Sequence, residues 1–218
     1  HPKSELAPDA AYRIGDCYYA SGRFSQAVAA YANMLKRYPS ASFADRAAFQ
    51  TGQAYFRSEE YARALEAANS FIARHQKSEL LDDAKNLKGM SYFKLEKYPE
   101  AIEVFKTIVK PSPLAGDALY QVGTCYYNMG EFSRAVEIYE RLLKEFPASP
   151  KAADAITGMM DSYLSRGQVD QAVKLIDDYI VRSPRGRLAD TLLMKKGDLY
   201  FNLKRYDDAI AAYRRITV

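Results

Sequence analysis

Tryptophan is absent from this sequence, and cysteine and histidine occur only twice each. No phosphate-cradling glycine loop, nucleophile elbow or His-Glu metal spacing occurs, so the sequence offers no support for catalysis. No run approaches the roughly 18 apolar residues of a membrane span. A charged-then-apolar leader is also missing, which in a chain that reads as a fragment says nothing about location. Neither sign of charge dominates. The 31 lysines and arginines are scattered among 27 acids, for a net charge of +4. Nucleic-acid binding needs a concentrated basic face, and this distribution argues against it.

What the sequence has in quantity is tyrosine, 18 of them, and it has them periodically. "HPKSELAPDA" at the start returns 74 positions later as "HQKSELLDDA", seven of ten residues matching. Six longer stretches align behind this: "YRIGDCYYASGRFSQAVAAY", "FQTGQAYFRSEEYARALEAA", "NLKGMSYFKLEKYPEAIEVF", "YQVGTCYYNMGEFSRAVEIY", "TGMMDSYLSRGQVDQAVKLI" and "MKKGDLYFNLKRYDDAIAAY". Gly15, Gly52, Gly89, Gly123, Met160 and Gly197 form one column, at spacings of 37, 37, 34, 37 and 37 residues. Three residues on stands Tyr18, Tyr55, Tyr92, Tyr126, Tyr163 or Tyr200; nine further stands Ala27, Ala64, Ala101, Ala135, Ala172 or Ala209. Internal repetition of this period means a stacked array of supersecondary units.

Each unit reads as two helices separated by a break such as "SGRF" or "NMGEF". The second resumes with apolar residues at helical spacing, as at Ala27, Val28, Tyr31 and Leu35, and Pro39, Pro113, Pro147 and Pro184 follow it. A glycine inside a helix costs about 1 kcal/mol against alanine. Its recurrence implies that a missing Cβ lets two helices approach, with the column alanine expected opposite and the tyrosine filling the wedge between units. Gly15, Tyr18, Ala27, Tyr31 and Pro39 match the column residues of the tetratricopeptide repeat, which the chain resembles over nearly its whole length. The resemblance implies an all-α, right-handed superhelical solenoid of antiparallel helix pairs. About six units fall near residues 8–41, 45–78, 82–115, 116–149, 153–186 and 190–218, the last truncated. The fifth departs, with Met160 for glycine and Ile176 for the aromatic, which predicts a slightly wider helix pair there.

Counting back in register, Pro2 aligns with Pro39, so His1 and Pro2 read as the tail of a preceding unit; a cloning tag is the alternative for His1. The far end, "YDDAIAAYRRITV", stops inside a second helix, and neither end carries the polar cap that stacked repeats need. The chain therefore reads as part of a longer array. Three residues beyond the usual 34 fall around "YPSASFADRA", "FPASPKAADA" and "SPRGRLADT", where Ser149 and Pro150 suggest an N-cap and a first-turn proline. They are expected to lengthen the first helix. The "P-x-S-x-x-A-x-x-A" junction resembles the repeats of bacterial envelope proteins, of the kind found in the lipoprotein of the outer-membrane barrel-assembly machine and the Tol–Pal-associated coordinator. That resemblance implies a periplasmic or outer-membrane-associated protein of a Gram-negative bacterium, with a cytoplasmic one as the alternative.

His1 and His75 occupy equivalent junction positions and read as solvated or capping residues, not metal ligands. Cys17 and Cys125 share one repeat position three units apart. Helices packed about 8–10 Å apart separate them too far for a disulfide, so both are expected as buried free thiols. No cofactor is implied.

In the family the first helices line the inner face of the array and contact extended peptides or partner helices. One position after the column tyrosine gives Tyr19, Phe56, Phe93, Tyr127, Leu164 and Phe201. Three before those lie Asp16, Gln53, Met90, Thr124, Asp161 and Asp198; seven before lie Tyr12, Phe49, Asn86, Tyr120, Thr157 and Met194. From this stripe Tyr12, Asp16, Tyr19, Phe49, Gln53, Phe56, Phe93, Tyr120, Thr124, Tyr127, Asp161, Asp198 and Phe201 are the candidate partner-binding residues. Packing of the second aromatic against the next unit is the competing role. Tyr12 and Asp16 stand where part of the family carries a lysine–asparagine clamp for C-terminal carboxylates, so no such clamp is expected. The reading is a non-enzymatic scaffold that binds another protein or peptide, within an envelope complex. A spacer that self-associates through uncapped ends, or the repeat arm of a larger enzyme, are the alternatives.

Overall fold

The computed structural model describes residues 4–183 and 187–217. His1, Pro2 and Pro184 of the sequence argument lie outside them. The described residues form twelve α-helices and no strand: α1 (Ala7–Ala20), α2 (Phe24–Arg37), α3 (Ala44–Arg57), α4 (Tyr61–Arg74), α5 (Leu81–Lys94), α6 (Tyr98–Phe105), α7 (Ala115–Asn128), α8 (Phe132–Glu145), α9 (Ala152–Ser165), α10 (Val169–Arg182), α11 (Arg187–Asn202) and α12 (Tyr206–Thr217). Odd-numbered helices are the first helices of the repeats and even-numbered ones the second. The chain divides into two compact units, His1–Cys125 and Tyr126–Val218, the division falling inside α7. In the first unit, consecutive helices from α1 to α6 pack in order, and α1 also touches α3, as α3 touches α5. In the second, α8 to α12 pack in sequence.

Each first helix ends the same way. Gly22, Glu59, Glu96, Gly130, Gly167 and Lys204 all adopt positive φ, between 58° and 75°. The next N–H returns to the column tyrosine, as in Arg23 N–H to the Tyr18 carbonyl and Glu60 N–H to that of Tyr55, both at 2.9 Å. The N–H of the positive-φ residue itself reaches the following carbonyl, as from Gly22 to Tyr19 at 3.0 Å. This is a Schellman ending, which satisfies carbonyls that a helix C-terminus otherwise leaves bare.

The column tyrosines are less buried than their register suggests. Tyr18 packs against a core shared by α2 and α3, containing Tyr31, Met34, Ala47 and Ala54. Its outer face is covered by the Arg23 guanidinium, 4.9 Å from the ring centre; Arg63 covers Tyr55 at 4.2 Å and Arg205 covers Tyr200 at 4.5 Å. Only Tyr200 of the six is fully buried. The alanine column is buried throughout.

Opposite the glycine stands a ring, not the alanine. A Cβ on Gly15 or Gly197 would drive into the rings of Tyr31 or Tyr213, and one on Gly89 would lie 2.5 Å from Cε1 of Phe105. The aromatic sixteen residues on lies flat against the bare glycine backbone, which is how helices of one repeat come close. In the second repeat that position is Ala68, and Gly52 instead approaches Leu87 Cδ2 and Ala67 Cβ. In the fifth repeat the volumes are exchanged: Met160 and Ile176 share one core cluster with Ala172 and Leu192. There α9 and α10 approach each other at fewer points than do α1 and α2, α3 and α4, α5 and α6, or α11 and α12.

The extra residues do not lengthen α3 or α9, which span 14 residues like α5 and like α7, the helix that follows the short interval; α11, after the third of these junctions, spans 16. The difference lies in α6, with 8 residues where α2, α4 and α8 have 14, followed by a longer connection. The β-branched run Thr107–Val109 and Pro111 oppose helix beyond this point. Ser149 does not cap α9. Its hydroxyl accepts the Lys151 N–H at 3.1 Å and its carbonyl the Ala152 N–H at 3.0 Å, a turn that precedes the helix. Ser78 makes the same turn with Leu80 and donates its hydroxyl to Asp45 of α3 at 2.6 Å, pinning one repeat's junction to its predecessor.

Gly15→Ala is expected to destabilise the protein by ~1–3 kcal/mol, because overpacking against Tyr31 outweighs the helix-propensity gain. Gly52→Ala, meeting only a flexible leucine tip and a methyl group, should be neutral or stabilising by up to ~1 kcal/mol. Chemical denaturation of both variants checks the contrast.

Candidate partner-binding surface

In the first unit the successive contacts of α1, α3 and α5 set the first helices side by side. Tyr12, Asp16 and Tyr19 lie on α1; Phe49, Gln53 and Phe56 on α3; Phe93 on α5; Tyr120 and Thr124 on α7. All are half-buried. In the second unit Tyr127 and Asp161 are half-buried, and Asp198 and Phe201 are exposed, Phe201 by 57%.

The second aromatic of each pair has a structural partner that the sequence reading missed. Tyr19 meets Phe24 edge-on at 5.5 Å, Phe56 meets Tyr61 at 5.3 Å, and Phe93 meets Tyr98 at 5.4 Å. In the second unit Tyr127 meets Phe132 at 5.3 Å and Phe201 meets Tyr206 at 5.6 Å. The ring thus packs across its own turn onto the first residue of its own second helix. Edge-to-face pairs of this kind contribute about 0.5–1.5 kcal/mol each beyond area burial. A constant five-residue offset, aromatic to aromatic, was the signal available in the sequence. Tyr19, Phe56, Phe93 and Tyr127 are half-buried and Phe201 is exposed, so each clasp leaves part of the ring on the surface.

The remaining rings of the stripe are also engaged. Tyr12 lies 5.8 Å from Tyr31 and 5.3 Å from Phe43, and Phe49 meets Phe71 of α4 at 5.9 Å. Thr124 donates its hydroxyl to the Tyr120 carbonyl one turn back, at 3.1 Å.

The acids differ from one another. Tyr31 donates its phenol to Asp16 Oδ1 at 2.6 Å, and Tyr213 donates to Asp198 Oδ1 at 2.7 Å. The same ring that lies on the glycine therefore ends on the neighbouring carboxylate. Where Ile176 replaces the tyrosine, Asp161 pairs with Lys195 of α11 at 3.7 Å. Burial, then the bond to Asp16, raises the Tyr31 phenol well above the ordinary tyrosine value, and the bond to Asp198 raises that of Tyr213. Tyr12 is raised as well, by burial first and Asp16 second.

Cys17 is exposed, contrary to the buried thiol expected, while Cys125 is buried. Their column, two after the glycine, holds Ala54, Ser91 and Ser162, which are buried. Ser91 and Ser162 satisfy themselves on carbonyls one turn back, at 2.7 and 2.6 Å. On α1 no preceding helix covers this position among the described residues. Burial pushes the Cys125 thiol up to about 12, which leaves it unreactive at neutral pH. Among the described residues no cluster of His, Cys, Asp or Glu could hold a metal ion, and no helix is long and apolar enough to cross a membrane.

Residues 86–153 and 158–217, together more than half of the sequence, match the family described as Tetratricopeptide repeat, and the chain belongs to that family. Residues 4–110 match a second family, described as Outer membrane lipoprotein. No curated protein matches the sequence. Among solved structures, the chain is similar to MamA at 23% identity and a TM-score of 0.67, covering 83% of this chain and 94% of that one. It is similar to a tetratricopeptide repeat protein from Parabacteroides merdae at 18% identity and a TM-score of 0.70, covering 96% and 78%. A third is YrrB, described as having an unusual peptide-binding site, at 21% identity and a TM-score of 0.59, covering 82% and 88%. These likenesses establish the helical-repeat fold.

The Tyr31 phenol is raised above its unfolded value of about 10, so its contribution to stability is intact below that pH and is lost as pH climbs above it. Melting temperature should therefore fall more steeply between about pH 10 and 11.5 in the parent protein than in Tyr31→Phe. Parallel slopes would show that the Tyr31 phenol is not raised in the folded protein.

Proposed function

We propose that this chain is a non-enzymatic scaffold that binds a segment of another protein on the face formed by its first helices, within a bacterial envelope complex. The observation that carries the first part is the row of half-buried aromatic and polar side chains on adjacent α1, α3 and α5, the only helices of the first unit that repeat Tyr-aromatic pairs side by side. Aromatic groups that are held rigid yet incompletely covered suit binding, since little conformational freedom is lost when a partner covers them. Membership of the tetratricopeptide repeat family supports this reading, and the match of residues 4–110 to outer membrane lipoproteins supports the envelope setting. In the first unit the stripe of Tyr12, Tyr19, Phe49, Gln53, Phe56, Phe93, Tyr120 and Thr124 supplies the contact surface, and Asp16 biases it against acidic partners; in the second unit Tyr127, Phe201, Asp161 and Asp198 play the corresponding parts on their own first helices.

Site-specific photo-crosslinking in cells tests the face. A benzophenone amino acid at Phe56 keeps a ring against Tyr61, and one at Asn69, exposed on α4, serves as the control. One discrete heterologous adduct from Phe56 and none from Asn69 is the expected result. Equal adducts from both positions, or adducts to the same chain alone, would contradict it. Detection of the adduct in an outer-membrane fraction tests the envelope setting separately.

A further inference from the structure

The acid column is where the repeats differ most, and the difference is one of occupancy. In the fifth repeat the carboxylate of Asp161 faces Lys195, which α11 brings to within 3.7 Å across the boundary between repeats. The molecule thus shows what this column receives when a cation is available: an ammonium group arriving from the side of the next first helix. In the second repeat the position equivalent to Lys195 is Gln50, so α3 offers Asp16 no such charge. Arg13, the residue nearest in sequence, is turned to Asp9 at 2.7 Å. Among the described residues Asp16 enters no ion pair, and Tyr31 engages its Oδ1. Arg46 acts on the neighbouring Tyr12 only through its field.

Two rings of α1 flank this carboxylate, and the Tyr12 phenol interacts with it directly. Tyr12 is one turn before Asp16 and Tyr19 one turn after, so all three project from one side of α1. Tyr12 is braced by Tyr31 and Phe43, and Tyr19 by Phe24. Aromatic faces carry negative potential and attract ammonium and guanidinium groups, most strongly where water is partly excluded. A fixed carboxylate between two fixed rings combines charge with that quadrupole.

We propose that Asp16, with Tyr12 and Tyr19, is the seat for a lysine or arginine side chain of the bound protein segment. The proposal rests on the first-helix face being the binding surface and adds the chemistry that it selects. The partner segment presents a basic residue to the first repeat, taking the place that Lys195 fills in the fifth.

A random 12-residue peptide library selected on the full chain provides the probes. Selected peptides are measured by fluorescence anisotropy against the parent protein, Asp16→Asn and Phe56→Ala. Asparagine keeps an oxygen for the Tyr31 phenol, and melting curves confirm that the variant is folded. Binders should share a lysine or arginine whose replacement by norleucine weakens binding roughly tenfold to the parent protein, with little further loss on Asp16→Asn. The norleucine comparison requires no protein variant. Peptides that depend on Phe56 but are indifferent to Asp16→Asn would overturn the cation seat and leave the binding face standing. A selection in which no binder depends on Asp16 or on Phe56 would overturn both.

Discussion

The contact between a bare glycine backbone and an aromatic ring sixteen residues later sets the geometry of the first, third and sixth repeats. It lets two helices lie closer than any pair of side chains would permit, and it aims the ring. In the first and sixth repeats that ring is a tyrosine, and its hydroxyl arrives at the aspartate beside the glycine. One contact therefore fixes helix spacing, the burial of the ring and the state of a surface carboxylate. The Schellman ending adds a second constraint. By returning the chain through a residue of positive φ, it brings the first residue of the second helix back onto the last turn of the first. There the second aromatic of each pair closes over it.

These constraints restrain the rings that line the first helices. Aromatic side chains that project freely from a helix would collapse onto one another or invite indiscriminate association. Here Tyr19, Phe56 and Phe93 are held edge-on by Phe24, Tyr61 and Tyr98. On the proposed reading a partner would meet the remaining face of each ring, with polar groups between. The acids are answered in two ways: by a phenol at Asp16 and Asp198, by a lysine at Asp161.

Much of this was legible in the residues themselves. Gly15, Tyr18 and Ala27 recur so regularly that helix pairs, their number and their turns follow from counting. The identity of the glycine's neighbour was not read off, because the buried alanine column is equally regular. A covariation within the chain held the answer: glycine with Tyr31, Phe105 or Tyr213, but Met160 with Ile176. The source of the 34-residue interval was hidden for a different reason. Counting from glycine to glycine measures the sum of a helix and a connection, and α6 shortens while its connection grows. Cys17 and Cys125 share a column, yet only Cys125 is buried, because a shared column gives equal burial only where a preceding helix covers it. The aromatic stripe lies on the first helices, but its second rings were weighed as exposed or as packed on the next repeat, when their partners stood five residues on in the same repeat.

The direct test of the glycine–ring account is to install the contact where it is missing. Met160→Gly alone should cost several kcal/mol through the cavity and the lost helix propensity, and Ile176→Tyr alone ~1–3 kcal/mol through overpacking. Together they recreate the arrangement of the first repeat, with Asp161 positioned to accept the new phenol. A double-mutant cycle by denaturant unfolding should give a favourable coupling of ~2–3 kcal/mol between them. Two losses that simply add would show that ring and glycine are not partners, and that helix spacing in these repeats has another origin.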